Sequence, residues 1–116
     1  MPQLDDRVRL RHMLDAAVTA RGFVKGRCRA DMGGDLQLQM AVAHCVQIIG
    51  EAAARLSGET QRRIPELPWG DIRAMRNQIV HVYFGLNTNI LWDTVQNDLP
   101  PLIRVIRGYL GGDAED

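Results

Sequence analysis

Arg76, Asn77, His81 and Tyr83 fall within eight consecutive positions, inside the stretch Met75 to Gly85. A histidine near its ordinary pKa can take and return a proton at neutral pH, work worth roughly 10²–10⁴-fold in rate. A neighbouring arginine can bind a phosphodiester and stabilise charge building on its oxygens. Together these roles suffice for metal-free RNA cleavage, in which a 2′-hydroxyl attacks its own phosphate. The plain alternative for the same pair is a helix-end histidine bonded to a carbonyl beside a surface arginine. Arg-x4-His alone leaves both readings open.

The elements around these residues are read from apolar spacing. Ile72, Met75, Ile79 and Val82 recur at 3-4-3, one stripe of a helix from about Asp71 to Phe84 that Gly85 can stop. Arg76 and Tyr83 then lie on nearly the same side, and Asn77 and His81 are i,i+4 neighbours. Leu38, Val42, Cys45, Ile49, Ala52 and Leu56 form a heptad seam on a second helix, with Asp35 as N-cap and Ser57-Gly58 as its stop. Beside that seam run His44, Gln47, Glu51 and Arg55, either a solvated face or a face through which Glu51 and His44 approach the motif. Gly50 is unfavourable within a helix by about 1 kcal/mol relative to alanine, which points to close approach by another helix.

The first helix spans about 5–21, with Val8, Leu10, Met13, Leu14, Ala17 and Val18 as its apolar face and Asp5 and Asp6 favourable at its N-terminus. His12 sits among arginines and reads as a surface residue. Gly22, Gly26 and Gly33-Gly34 mark 22–34 as a connection, and 58–70 reads as a loop fixed by Pro65 and Pro68. A fourth helix carries Leu91 or Trp92, Val95, Leu99, Leu102, Ile106 and Tyr109. Pro100-Pro101 should kink or split it near Leu99, because proline removes helix donors. No stretch alternates like a strand. The expectation is one all-α domain over 1–116, an antiparallel four-helix bundle.

Composition narrows the function classes. Hydrophobic residues make up 46% and net charge is zero, against disorder and against a generally basic coat. Residues 1–29 nonetheless hold seven basic and three acidic residues, while Asp113, Glu115 and Asp116 make the end acidic. Thirteen of the fourteen basic residues are arginine, which suits bidentate phosphate contacts or reflects base composition. Arg7, Arg9 and Arg11 could widen an RNA track or form a solvated face. Cys28 and Cys45 lack metal-ligand spacing, and Cys45 reads as core. No apolar run spans a bilayer and no signal-peptide core follows the N-terminus, so a cytoplasmic protein without membrane contact is expected. Glu-x-x-His pairs, Walker loops, nucleophile elbows and histidine ligand spacings are absent from the sequence. No metal or cofactor is expected.

Arg76-Asn77-x3-His81-x-Tyr83-Phe84-Gly85 resembles the Arg-x4-His-x-Tyr motif of HepT-like toxins, a branch of the HEPN superfamily. The likeness takes in Ile48-Ile49-Gly50-Glu51-Ala52-Ala53, Pro68-Trp69 and Met75, and continues through Ile90-Leu91-Trp92-Asp93-Thr94-Val95 and Asp98-Leu99-Pro100. It covers roughly 36–106. The resemblance implies a HEPN-like bundle that forms a homodimer with two motifs meeting at a cleft. It implies a metal-independent endoribonuclease, the toxin of a type VII toxin–antitoxin system, partnered by an MNT-type nucleotidyltransferase antitoxin. Arg76 and His81 match the family's catalytic residues, and Tyr83 matches the tyrosine that the partner can modify with AMP. Asn77 is expected as a polar positioner and Glu51 as possible support. The residue after the histidine is often acidic in this family, whereas here it is Val82. A second expectation is a non-catalytic helical binding partner of a nucleotidyltransferase.

Overall fold

A computed structural model describes residues 2–77 and 87–114. Helices α1 (Pro2–Val24), α2 (Arg29–Gly34), α3 (Leu36–Ala54), α4 (Gly58–Arg63) and α5 (Trp69–Ala74) are followed by a 3-10 turn at Met75–Asn77. Helix α6 (Thr88–Asp93), a π turn (Thr94–Asp98) and α7 (Leu99–Ala114) are the remaining elements among the described residues. The architecture is an all-α antiparallel four-helix bundle, made of α1, α3, α5 with its 3-10 turn, and the composite α6–π–α7. No strand occurs among the described residues.

Helix α3 lies at the centre because it is apolar on two sides. The whole heptad seam from Leu38 to Leu56 is buried, and Ala43, Val46, Gly50 and Ala53 are buried on the neighbouring face. Asp35 caps its N-terminus as expected, accepting from the Leu38 N–H at 3.1 Å. Helix α1 packs antiparallel to it. Val8 and Arg9 lie beside Ala52 and Arg55, whereas Thr19 and Phe23 lie beside Ala41 and His44. Leu10, Met13, Leu14 and Ala17 are core as expected, with Ala20 and Val24 continuing the stripe. Val8 (53% exposed) and Val18 (39%) are not core. They flank a buried stripe that the small residues Ala17 and Ala20 make narrow.

Two connections expected from glycine and proline are in fact short helices. Helix α2 is held by Met32, which is fully buried, and Asp31 accepts from the Cys28 N–H at 2.8 Å. Gly26 (φ 74°) makes the turn that leads into it. Arg29 then ties α2 to α6 through Asp93 (2.7 Å) and Asn89 (3.1 Å). Ser57 is the N-cap of α4 rather than only a stop for α3, accepting from the Thr60 N–H at 3.2 Å. A single buried anchor within six residues leaves no period to read, which is why both helices resemble loops in the sequence.

The fourth helix is interrupted where the prolines demand it. The Leu99 N–H reaches back five residues to the Thr94 carbonyl. Pro100 and Pro101 then occupy the first turn of α7, where missing N–H groups leave few helix bonds unmade. The Val95 carbonyl consequently has neither Leu99 nor Pro100 as a helix donor. The Arg21 guanidinium, also bonded to the Gln96 side chain, supplies one from α1 at 3.4 Å.

Candidate active site

The approach to the motif is built from Pro68 onward. Pro68 starts α5, and the Trp69 indole N–H donates to the Gln61 (3.1 Å) and Ile64 (2.9 Å) carbonyls. Arg73 holds the Gln61 side chain at 2.8 Å, so α5 is keyed to α4 by polar contacts. Ile72 and Met75, the first two residues of the expected stripe, are buried against the core. At Met75 the helix tightens, its N–H reaching the Ile72 carbonyl, and Arg76 and Asn77 emerge exposed on the 3-10 turn. Ile79, His81, Val82, Tyr83 and Gly85 lie outside the described residues.

Gly50 is the seat of this turn. A Cβ at position 50 would lie 2.9 Å from the Arg76 Cβ and 3.0 Å from its Cα, and closer still to its backbone nitrogen. The close approach expected of Gly50 is therefore to the backbone of Arg76 itself. The Arg76 side chain makes no hydrogen bond or ion pair with another described residue. None of its five N–H donors is taken by a described residue, and these are the donors an anion would use.

Glu51 follows Gly50 in α3 and is exposed. It accepts from the Gln47 amide at 3.3 Å and opens onto a depression shared with Arg9 and Arg55. No ion pair joins it to Arg76 among the described residues. His44 and His12 are both exposed and border a shallow apolar depression with Phe23 and Ile48. Arg9 lies 4.0 Å from Asp6. Cys45 is buried, and burial pushes its thiol pKa up, as a core cysteine requires.

Sequence alone assigns Asp6 only a favourable place at a helix N-terminus, yet it is 3% exposed. Its carboxylate accepts from the Ser57 hydroxyl (2.6 Å), the Ser57 N–H (3.3 Å) and the Thr60 hydroxyl (2.6 Å). Burial alone raises its pKa, but these hydrogen bonds and the Arg9 charge outweigh it and hold the group below its usual range. The only hint in the sequence is the Ser57-x-x-Thr60 spacing. A second surface also escaped the sequence reading. Arg104 and Arg107 join Arg21 around Val18, Pro100 and Ile103, bringing together arginines more than eighty positions apart.

A family model described as ribonuclease HepT-like matches residues 13–108, spanning α3, the 3-10 turn and all the candidate site residues. The "Probable ribonuclease HepT" of Thermococcus cleftensis is 34% identical over 93 residues, covering 80% of this chain and 84% of its own. A "Putative RNase" of Caldanaerobacter subterraneus subsp. tengcongensis is 33% identical over 101 residues, covering 87% and 90%. A "Putative RNase" of Methanocaldococcus jannaschii is 31% identical over 106 residues, covering 91% and 88%. No solved structure matches.

Proposed function

The chain belongs to the HepT-like ribonuclease family, and from that premise we propose that it is a metal-independent endoribonuclease that acts as a homodimeric toxin. His81 takes the proton from the RNA 2′-hydroxyl as its oxygen bonds to phosphorus. It returns a proton to the 5′-oxygen as that P–O bond breaks, leaving a 2′,3′-cyclic phosphate and a 5′-hydroxyl. Arg76 binds the phosphate and neutralises the charge that grows on its free oxygens. Asn77 positions the phosphate or the imidazole, and Glu51 supports the site from α3.

The observation that carries this reading is the state of Arg76: exposed, joined to no carboxylate among the described residues, and seated by its backbone on Gly50. An arginine kept for an ion pair in the fold has its partner beside it, as Arg27, Arg29 and Arg63 do. Regulation belongs to the same proposal. An MNT-type nucleotidyltransferase antitoxin attaches AMP to Tyr83, placing a bulky anion near Arg76 and His81 and blocking RNA by charge and volume.

The test is cleavage of purified RNA in EDTA by the wild-type protein, with Arg76→Ala and His81→Ala as controls for contaminating nuclease. Cyclic-phosphate ends that require both residues are expected. Cleavage that persists in both variants, or requires added metal, would overturn the mechanism. Folded protein that binds a nucleotidyltransferase without cutting RNA would favour the non-catalytic partner instead.

A further inference from the structure

We propose that Gly50 is a positioning residue for the reaction, setting the guanidinium of Arg76 by admitting its backbone against α3. This rests on the nuclease reading above and adds a residue that contacts no substrate. Two observations carry it. Gly50 is fully within α3, where a glycine weakens the helix, so its presence needs a local reason. The atoms that a side chain at 50 would strike are the nitrogen, Cα and Cβ of Arg76, with no other residue among the nearest. The obstacle is backbone plus the stem of the arginine, which cannot swing aside like a flexible side-chain end.

Other helical glycines make the contrast. Gly22, Gly108 and Gly111 would meet nothing within 4 Å on gaining a Cβ. Their replacement by alanine is sterically free, whereas at Gly50 the turn carrying Arg76 must move. The chain departs from α-helix to 3-10 geometry over Met75–Asn77, so the displaced segment is the one that points Arg76 and Asn77 outward. A shift of about 1 Å in a positioned group can lower a rate on the order of 10²-fold. The fixed seat therefore accounts for a glycine that helix stability alone would disfavour.

The test uses a single-stranded 2′-O-methyl oligonucleotide, which presents RNA phosphates but lacks the attacking hydroxyl, beside ordinary RNA for cleavage. If Arg76 holds one phosphate, Arg76→Ala lowers the slope of log binding constant against log salt by about 0.7. Gly50→Ala should flatten the slope by a similar amount and lower cleavage on the order of 10²-fold. The Gly50→Ala, Arg76→Ala double variant should flatten it no further. Gly108→Ala should leave slope and rate unchanged. Met75→Ala, which removes the buried side chain next to Arg76 on the same 3-10 turn without adding an atom at 50, should also flatten the slope and serves if Gly50→Ala does not fold.

Wild-type slope and rate in folded Gly50→Ala, or in Met75→Ala where the glycine variant is unfolded, would overturn the assignment. So would a double variant whose slope change is the sum of the single changes, or an equal flattening in Ile49→Val at matched loss of melting temperature. Arg76-dependent binding shared by Gly50→Ala, without His81-dependent cleavage, would sink the nuclease reading and leave the seat in place.

Discussion

Two charged groups are set near the C-terminal end of α3, and the fold treats them in opposite ways. Asp6 is enclosed, and the hydroxyls of Ser57 and Thr60 with the Ser57 N–H occupy its oxygens. Arg76 is fixed at its backbone and left open at its guanidinium. The carboxylate has its hydrogen bonds met inside the protein, so its contribution is to stability. The arginine has its position met by the protein and its donors without a partner among the described residues, which is the condition for acting on a ligand.

Substitution at the two sites should therefore separate rate from stability. Arg76→Ala is expected to lower RNA cleavage on the order of 10²–10³-fold, while unfolding free energy stays within about 0.5 kcal/mol. Asp6→Ala should do the reverse. Leaving the Ser57 and Thr60 donors without their charged acceptor should cost about 2–3 kcal/mol, with cleavage per folded molecule unchanged. Denaturant titration and single-turnover cleavage on the same preparations measure both. An Arg76→Ala protein that melts early, or a folded Asp6→Ala protein that is inactive, would erase the distinction.

Acid should sharpen it further. The folded pKa of Asp6 lies below the ordinary value, so its stabilisation is complete above the unfolded pKa, near 3.9. It is lost as pH falls from there through the depressed folded value. The stability gap between wild type and Asp6→Asn should thus be constant from neutrality to about pH 5 and close below about pH 4. A gap that persists at the acid end would assign the loss to packing rather than to the ionised carboxylate.

These two sites were unequally legible in the sequence. The seam of α3 could be read because five positions repeat over its length, with Leu56 just past its end, and all six are buried. Gly50 could be read as a contact point because a glycine inside so regular a helix has a propensity cost with no local benefit. Its partner could not, since nothing along the chain couples position 50 to position 76. Asp6 was missed for the same reason: its donors lie 51 and 54 positions away. Helices α2 and α4 were hidden by their single anchors, Met32 and Thr60. The break before α7 was legible because proline acts locally, through the donors it lacks. Its form as a π turn, with Arg21 reaching the freed Val95 carbonyl, depended on packing against α1.

The smallest expected effect concerns a carboxylate that neither region relieves. Asp98 ends the π turn; partial burial first, then repulsion from Asp71 on α5 and Asp93 on α6, raises its pKa. Ionised, it therefore costs stability, the reverse of Asp6. The cost is present above the raised folded pKa and disappears as pH falls through that value toward the unfolded one near 3.9. Asp98→Asn should stabilise the protein at pH 7 by no more than about 0.5 kcal/mol, because the site is solvent-screened. The gain should shrink toward pH 4 and also in high salt, which screens the two neighbouring carboxylates. Thermal unfolding of both proteins at the two pH values reads it directly. A variant no more stable than wild type at pH 7, or one whose advantage grows with acid, would show that Asp71 and Asp93 do not burden Asp98 in the folded chain. If the gain appears, α5 holds its register on the bundle against a standing repulsion, and the contact that keeps the Arg76 turn in place must come from apolar burial at Ile72 and Met75 and from the seat at Gly50.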